Sequence, residues 1–134
     1  MQKVAEIVVT MQCKPGTLAH LCSTLGKVGV NISAVMAPGV PGAKARQAKV
    51  RLLVDNPDKA KEALRTAKLR FSEEEAIAIE VDNRPNALWE VAEKLAQAKI
   101  NIRYAYGTAT EGSAKATMVL AVPDVAKALA VLRG

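Results

Sequence analysis

Short alternations of apolar and polar residues and longer runs with an apolar residue every three or four positions follow one another along this chain. Residues 4–11 alternate. Ile7, Val9 and Met11 would face a core, and Glu6, Val8 and Thr10 would face the other way, which is the period of a strand. Pro15-Gly16 breaks it. Leu18, Leu21, Cys22, Leu25 and Val28 then recur on one helical face, and Gly29 suits a helix stop. Residues 30–36 read as a second strand, Pro38-Gly39-Val40-Pro41-Gly42 as a loop, and residues 48–54 as a third strand with Val50, Leu52 and Val54 inward. Asn56-Pro57-Asp58 opens a second helix carrying Ala60, Ala63, Leu64 and Ala67, and Leu69-Arg70-Phe71 suggests a short fourth strand.

The same order then recurs. Residues 76–81 form a strand, Leu88, Val91, Ala92 and Leu95 a helical face, residues 102–106 and 115–122 two strands, and Pro123-Asp124 a helix start. Two separate landmarks shift by one and the same offset: Pro15 recurs as Pro85, and Asn31 recurs as Asn101. Such self-similarity implies two copies of one supersecondary unit. Pro57 recurs as Pro123, an offset smaller by four, which places four additional residues in the first copy's hairpin loop. The expected fold is α+β: two tandem ferredoxin-like βαββαβ repeats, residues 1–72 and 73–134, antiparallel sheets with helices on one face. The second repeat shows no evident last strand before Gly134. A chain of 134 residues buries roughly 68% of its unfolded surface, enough for a real core.

Composition narrows the function. At 50% hydrophobic and 24% charged residues the chain is globular. It has no apolar run near the roughly 20 residues of a membrane span and no visible signal-peptide pattern. Cys13 and Cys22 make no disulfide framework, so a cytoplasmic setting is expected. The net charge of +6 is uneven: residues 1–70 carry 12 Lys/Arg and 4 Asp/Glu, residues 71–134 carry 7 and 9. Lys44, Arg46, Lys49 and Arg51 concentrate the excess. They read as a nucleic-acid surface, as a solvated sheet face, or as partners of the acidic second half. The central strands offer Val8, Thr10, Lys49 and Arg51 rather than rings for base stacking, which disfavours nucleic acid. Glu73-Glu74-Glu75 reads as a solvated connection between the copies.

No catalytic group emerges. His20, the single histidine, falls off the apolar helix face, and no nucleophile has a histidine and an acid beside it in the pattern. Met11-Gln12-Cys13 begins like a soft-metal loop, but Gly16 stands where a second thiolate is needed. Cys22 reads as core. No glycine run fits a phosphate cradle. No metal or cofactor is called for.

The order strand, Pro15-Gly16-Thr17-Leu18, helix, Gly29-Val30-Asn31-Ile32, strand, repeated as Asn83-Arg84-Pro85 and Lys99-Ile100-Asn101-Ile102, resembles the ACT domain, a small-molecule-sensing βαββαβ module. The likeness covers nearly the whole chain, and its nearest form is the free-standing tandem ACT protein. It implies binding of a free amino acid between paired domains, with a regulatory rather than catalytic output. The first amides of a helix lack internal partners and attract a carboxylate. Glycine at the turn lets a ligand approach the backbone, and an Asn amide offers both donor and acceptor. The resemblance makes Asn83 and Asn101 the leading polar contacts, among the candidate residues Asn83, Arg84, Pro85, Asn86, Ala87, Leu88, Asn101 and Ile102. In the first copy the candidates are Cys13, Lys14, Pro15, Gly16, Thr17, Leu18, Asn31 and Ile32.

Two departures make the sites unequal. Asn86 replaces the family's glycine, and Cys13 replaces its polar residue two before the proline. Helix initiation explains Pro15 and Pro85 equally well, and strand-start turn chemistry explains Asn31 and Asn101. Trp89 at the edge of a helix face suggests an interface, and Tyr104 and Tyr106 read as core residues with hydroxyls in reach of a cleft. A homodimer is expected, because the second copy's unpaired sheet edge needs cover. A ligand-independent dimerising adaptor is the competing function.

Overall fold

Strands β1 (Gln2–Gln12), β2 (Ile32–Met36) and β3 (Gln47–Val54) and helices α1 (Thr17–Gly26) and α2 (Pro57–Thr66) come first in the chain. Strands β4 (Phe71–Asp82), β5 (Tyr104–Thr108) and β6 (Lys115–Ala121) and helices α3 (Ala87–Gln97) and α4 (Val125–Arg133) repeat their order. The structure, a computed structural model, describes residues 1–38 and 47–134. Lys44, Arg46 and most of the loop at 38–42 therefore lie outside the described residues. The chain forms two compact units. The N-unit is Glu6–Glu74; the C-unit is Glu75–Gly134 together with Met1–Ala5.

In the N-unit β3 pairs antiparallel with β1 and β2, Ile7 facing Leu52 and Val35 facing Leu52 from the other side. The core behind the sheet is Ile7, Val9, Met11, Leu21, Leu25, Val50, Leu52, Ala60 and Leu64, all buried. In the C-unit β6 pairs with β4 and β5, Ile77 and Ala105 both facing Leu120. Its core is Ile77, Ile79, Val81, Leu95, Leu120, Val125, Ala128, Leu129 and Leu132. Each unit is thus an antiparallel sheet with two helices packed on it, an α+β arrangement. Burying one Leu of such a core contributes roughly 1.5–3 kcal/mol.

The register corrects the size of the loop difference. Ile7 and Ile77 keep the offset of Pro15 and Pro85, and their partners Leu52 and Leu120 are closer by two. The first copy therefore has two additional residues between its hairpin strands, not four. The prolines misled because they sit differently: Pro57 is the first residue of α2, whereas Pro123 precedes the cap of α4. Asn56 and Asp124, spaced like Leu52 and Leu120, are the true equivalents. Each caps its helix by accepting from the amide three residues on, Lys59 and Lys127.

The acidic run is strand, not connection. Glu73, Glu74 and Glu75 lie inside β4, a strand longer than its apolar alternation shows. Each carboxylate has a cation in its own unit: Glu73 with Lys61 at 3.0 Å, Glu74 with Arg51 at 3.3 Å and Glu75 with Lys3 at 3.9 Å. Three basic residues of the first half are thereby matched, among them Arg51. In the N-unit the leading end of β4 lies beside β1, with Thr10 N–H donating to Arg70 O. In the C-unit residues 2–5 of β1 lie beside β4. The last-strand position expected to stand empty in the second copy is filled by the beginning of the chain.

Two assignments to faces also change, while a third holds. Glu6 and Val8 keep the side opposite Ile7 and Val9, and both are buried there, because β1 is covered on both sides over residues 6–9. Cys22 is exposed and Leu18 is 43% exposed, so α1 buries a stripe of Leu21 and Leu25 narrower than the sequence period. Tyr104 and Tyr106 are half-buried and stacked on each other with centroids 6.3 Å apart. They face Ala121 and Val119, on the sheet face opposite Leu120, so they are not part of the helix-covered core.

Helices α1, α2 and α3 end alike. Val30, Leu69 and Ile100 N–H donate to Leu25, Leu64 and Leu95 O, after a left-handed residue at Gly29, Lys68 and Lys99, the Schellman arrangement. Gly29 and Lys99 are equivalent by the offset between the copies. The left-handed conformation costs a non-glycine residue about 1 kcal/mol. Lys99→Gly is therefore expected to raise the unfolding free energy by about 1 kcal/mol in urea titration, with an unchanged m-value.

Candidate functional site

Each unit turns from its first strand into its first helix through a single left-handed residue. Gly16 has φ 89° and ψ −12°, and Asn86 has φ 71° and ψ −5°. The bonding around them is the same. Lys14 N–H donates to Gln12 O, Thr17 N–H to Lys14 O and His20 N–H to Gly16 O; Arg84, Ala87 and Glu90 N–H donate to Asp82, Arg84 and Asn86 O. A Cβ on Gly16 would meet nothing within 4 Å. Its glycine serves the backbone angle, which Asn tolerates better than most residues.

Neither helix has a side-chain cap. The amides of Leu18 and Ala19, and those of Leu88 and Trp89, have no hydrogen-bond partner among the described residues. Such bare amides, at the positive end of a helix dipole, favour an anion. In the N-unit the Oγ1 of Thr17, the first residue of α1, is buried and also has no partner among the described residues.

A cleft of about 590 Å³ opens at the N-unit turn. The turn contributes Lys14, Pro15, Gly16, Thr17 and His20. The strands contribute Thr10, Met11, Gln12 and Gln47, and the segment before β4 contributes Lys68, Leu69 and Arg70. On the other flank a second cleft of about 390 Å³ is lined by Cys13, Leu18, Ala37, Pro38 and Ala48. The C-unit has the counterpart of the first cleft, of about 240 Å³, lined by Glu80, Val81, Asp82, Arg84, Ala87, Glu90 and Lys115. Each of these residues is the repeat equivalent of a residue of the larger cleft.

The two clefts differ in chemistry. In the C-unit Arg84 Nη2 lies 3.0 Å from Glu90 Oε2, and Arg84 Nε lies 3.4 Å from Asp82 Oδ2. Lys115 Nζ lies 2.6 Å from Asp82 Oδ1. The hydrogen bond and charge of Lys115, helped by Arg84, hold the Asp82 carboxyl below its usual range. Asp82 raises Lys115, and Glu90 raises Arg84. This turn carries its own anions. In the N-unit cleft Gln12, His20 and Gln47 take the places of Asp82, Glu90 and Lys115, and no acid lines it among the described residues. Lys14, Lys68 and Arg70 have no ion-pair partner among the described residues.

The polar residues favoured by sequence are used differently. Asn83 Nδ2 donates to Ser113 O at 2.9 Å and Thr110 O at 3.4 Å, clamping the β5–β6 hairpin to the turn. Asn31 N–H donates to Asp55 Oδ1 at 3.0 Å, and Asp55 N–H returns to Asn31 O. Asn31 and Ile32 are not among the residues lining either N-unit cleft. Asn101 is exposed, and neither it nor Ile102 lines the C-unit cleft. Leu88 is 42% and Trp89 60% exposed beside their turn. Sequence reasoning missed Thr10, Gln12, Gln47, Lys68 and Arg70, and treated His20 as plain surface. The alignment of the two copies carried the signal, since it sets His20 against Glu90 and Gln12 against Asp82. Among the described residues no three His, Cys, Asp or Glu side chains could share a metal ion, and no helix is long and apolar enough to cross a membrane.

No family model and no curated protein matches the chain. Solved structures do. Protein BT0572 from Bacteroides thetaiotaomicron superposes with a TM-score of 0.85 at 24% identity, over 98% of this chain and 87% of that one. The ligand-free regulatory subunit of aspartate kinase from Thermus thermophilus gives 0.68 at 20% identity, over 98% and 91%. Escherichia coli aspartokinase III, solved with lysine and aspartate, gives 0.52 at 14% identity, over 99% of this chain and 31% of that one. At these identities the likeness establishes the fold, an ACT-type α+β fold.

The C-unit network gives a pH signature. A folded Asp82 value below the ordinary 3.8 means that its contribution is whole above that pH. The contribution is lost as pH falls through the lower folded value. Asp82→Asn should remove this part, so its stability should fall less steeply than wild type as pH drops below about 5. Denaturant melts at successive pH values, at low and high salt, measure it. The difference should shrink with salt, because the pair is exposed.

Proposed function

We propose that the protein is a non-catalytic regulatory module made of two tandem ACT-like repeats, residues 1–72 and 73–134, that binds a free amino acid. The carrying observation is the N-unit turn, where α1 starts with bare amides at Leu18 and Ala19 and a cleft with room for a small zwitterion opens beside it along Lys14, Pro15, Gly16 and Thr17. An α-carboxylate suits the amides of Leu18 and Ala19. Lys14, Pro15, Gly16 and Thr17 form the wall it would meet, with Cys13 and Leu18 on the other flank.

The turn of Asn83, Arg84, Pro85, Asn86, Ala87 and Leu88 is the second site of this reading, held shut by its ion pairs. Asn31, Ile32, Asn101 and Ile102, at or just before the second strand of each repeat, complete the family's ligand set. The fold shared with a regulatory subunit of aspartate kinase supports a regulatory output. A structure of the same fold solved with lysine and aspartate supports an amino acid as ligand. The two exposed edge strands, β2 and β5, support a homodimer, and a cytoplasmic setting belongs to the same reading.

A thermal-shift screen of the twenty amino acids tests the function. At about 100 times Kd the true ligand should stabilise the fold by roughly 2.7 kcal/mol, and flat melts across the set would sink the proposal. Micromolar to millimolar affinity is expected for so few heavy atoms. The ligand response should persist in Asn83→Ala/Asn101→Ala if the N-unit turn is the working site. Light scattering of the full chain should give twice the monomer mass; the monomer mass at working concentration would end the dimer.

A further inference from the structure

We infer that the N-unit cleft selects an amino acid bearing a second carboxylate, and that the C-unit cleft binds no ligand of its own. This rests on the amino-acid reading above and names the ligand's class.

Two clefts are built here on one backbone. The C-unit turn offers the same bare amides and the same left-handed bend, so backbone geometry cannot separate the two. Charge does. In the C-unit Glu80, Asp82 and Glu90 face Arg84 and Lys115, and the pairs close on one another at 2.6 to 3.4 Å. An incoming anion there would have to displace a carboxylate already held.

In the N-unit none of those acids is present. Lys14, Lys68 and Arg70 line the cleft together with His20, and no acidic residue lines it among the described residues. The acids of Glu6–Glu74 are occupied elsewhere. Glu73 and Asp58 lie with Lys61, Glu74 with Arg51, Glu62 with Arg65, and Asp55 with the Asn31 amide; Glu6 is buried away from the cleft. Nothing described in the unit neutralises three cations gathered round one opening.

One carboxylate at the turn of Gly16 and Thr17 faces the positive end of α1, which leaves the lysines and arginine without a counter-ion. A side-chain carboxylate supplies it. A neutral side chain would leave the cations unmatched, and a basic one would add to them. Lys68 strengthens the case because its left-handed backbone, φ 59°, is better suited to glycine. Lysine stands at a position where its own backbone is strained and where the residue lines the opening.

Isothermal titration of the full chain tests the inference. The probes are L-aspartate, L-glutamate, L-asparagine, L-glutamine, L-lysine and succinate. L-Aspartate or L-glutamate should bind at one site per chain, at least about tenfold tighter than its amide, and more weakly as salt is added. Arg70→Gln should weaken binding about tenfold. Lys68→Gly should do the same while raising the melting temperature of the free protein, which rules out misfolding as the cause.

Tight binding of an amide or of L-lysine, with no preference for the acids, overturns the acidic class and leaves the amino-acid function standing. Succinate binding as tightly as L-aspartate keeps the anionic cleft and removes the amino-acid reading. Two equal sites per chain, or full affinity in both variants, overturn the assignment of the cleft. No binding of any probe sinks both.

Discussion

A strand must become a helix within four residues at two places in this chain, and both times one left-handed residue does it. That constraint sets what the turn can be. A residue at positive φ is poorly placed to cap the helix it precedes, because capping needs an extended backbone that aims the side-chain oxygen at the first amides. Asn86 shows the point. Asn is among the best capping residues, yet in the left-handed conformation it makes no cap. Helices α2 and α4 begin from Asn56 and Asp124, at φ −134° and −129°, and both are capped. A cap is worth about 1 kcal/mol. The two helices that forgo it are the two that begin at the clefts, so their amides stay free for something other than protein.

Once the backbone is fixed in duplicate, side chains alone decide what each turn does. The C-unit satisfies its turn internally. Arg84 bridges Asp82 and Glu90 across the start of α3, and Lys115 reaches Asp82 from the neighbouring strand. These groups are about half exposed, so their mutual attraction adds little to stability. Its consequence is local: the positive end of the helix already has its anions. Asn83 adds a mechanical restraint by holding the hairpin at Thr110 and Ser113, which Cys13 cannot match in the other copy. The N-unit keeps the scaffold and leaves the charge unmatched.

Much of this was written in the sequence, and the failures have physical causes. The offset between the copies survives in the backbone angles of Gly16 and Asn86, φ 89° and 71°, because a turn that needs positive φ admits few residues. Helix α2 was legible because Ala60, Ala63 and Leu64 are buried at the spacing of one face. Glu73-Glu74-Glu75 was misread as a connection because consecutive acids show no apolar alternation; Glu73 and Glu75 are exposed as expected, but all three lie in β4, where each meets a cation from another element. Alternation placed Glu6 and Val8 on the side away from Ile7 and Val9 correctly, but it could not tell that this side is also buried, because period alone does not show what covers a sheet face. Tyr104 and Tyr106 changed face because β5 does not continue the parity of Ile102. In β2 the register likewise shifts between Ile32 and Ala34. The cleft residues Lys68 and Arg70 were beyond local reading altogether, since they reach the turn only through the packing of α2 and the start of β4.

Backbone strain alone does not mark a binding residue here. Lys68 and Lys99 adopt nearly the same left-handed angles, φ 59° and 58°, and end equivalent helix motifs. Lys99 stands where the other repeat has Gly29 and lines none of the clefts described, so its strain is a small stability loss with no function attached. Strain at active positions is informative only when the surroundings give it a use. Lys68 has that use, because Lys14, Arg70 and the open end of α1 surround the same space. A left-handed lysine is tolerable at either place. Only beside an uncapped helix, among unmatched cations, does its charge become part of a site.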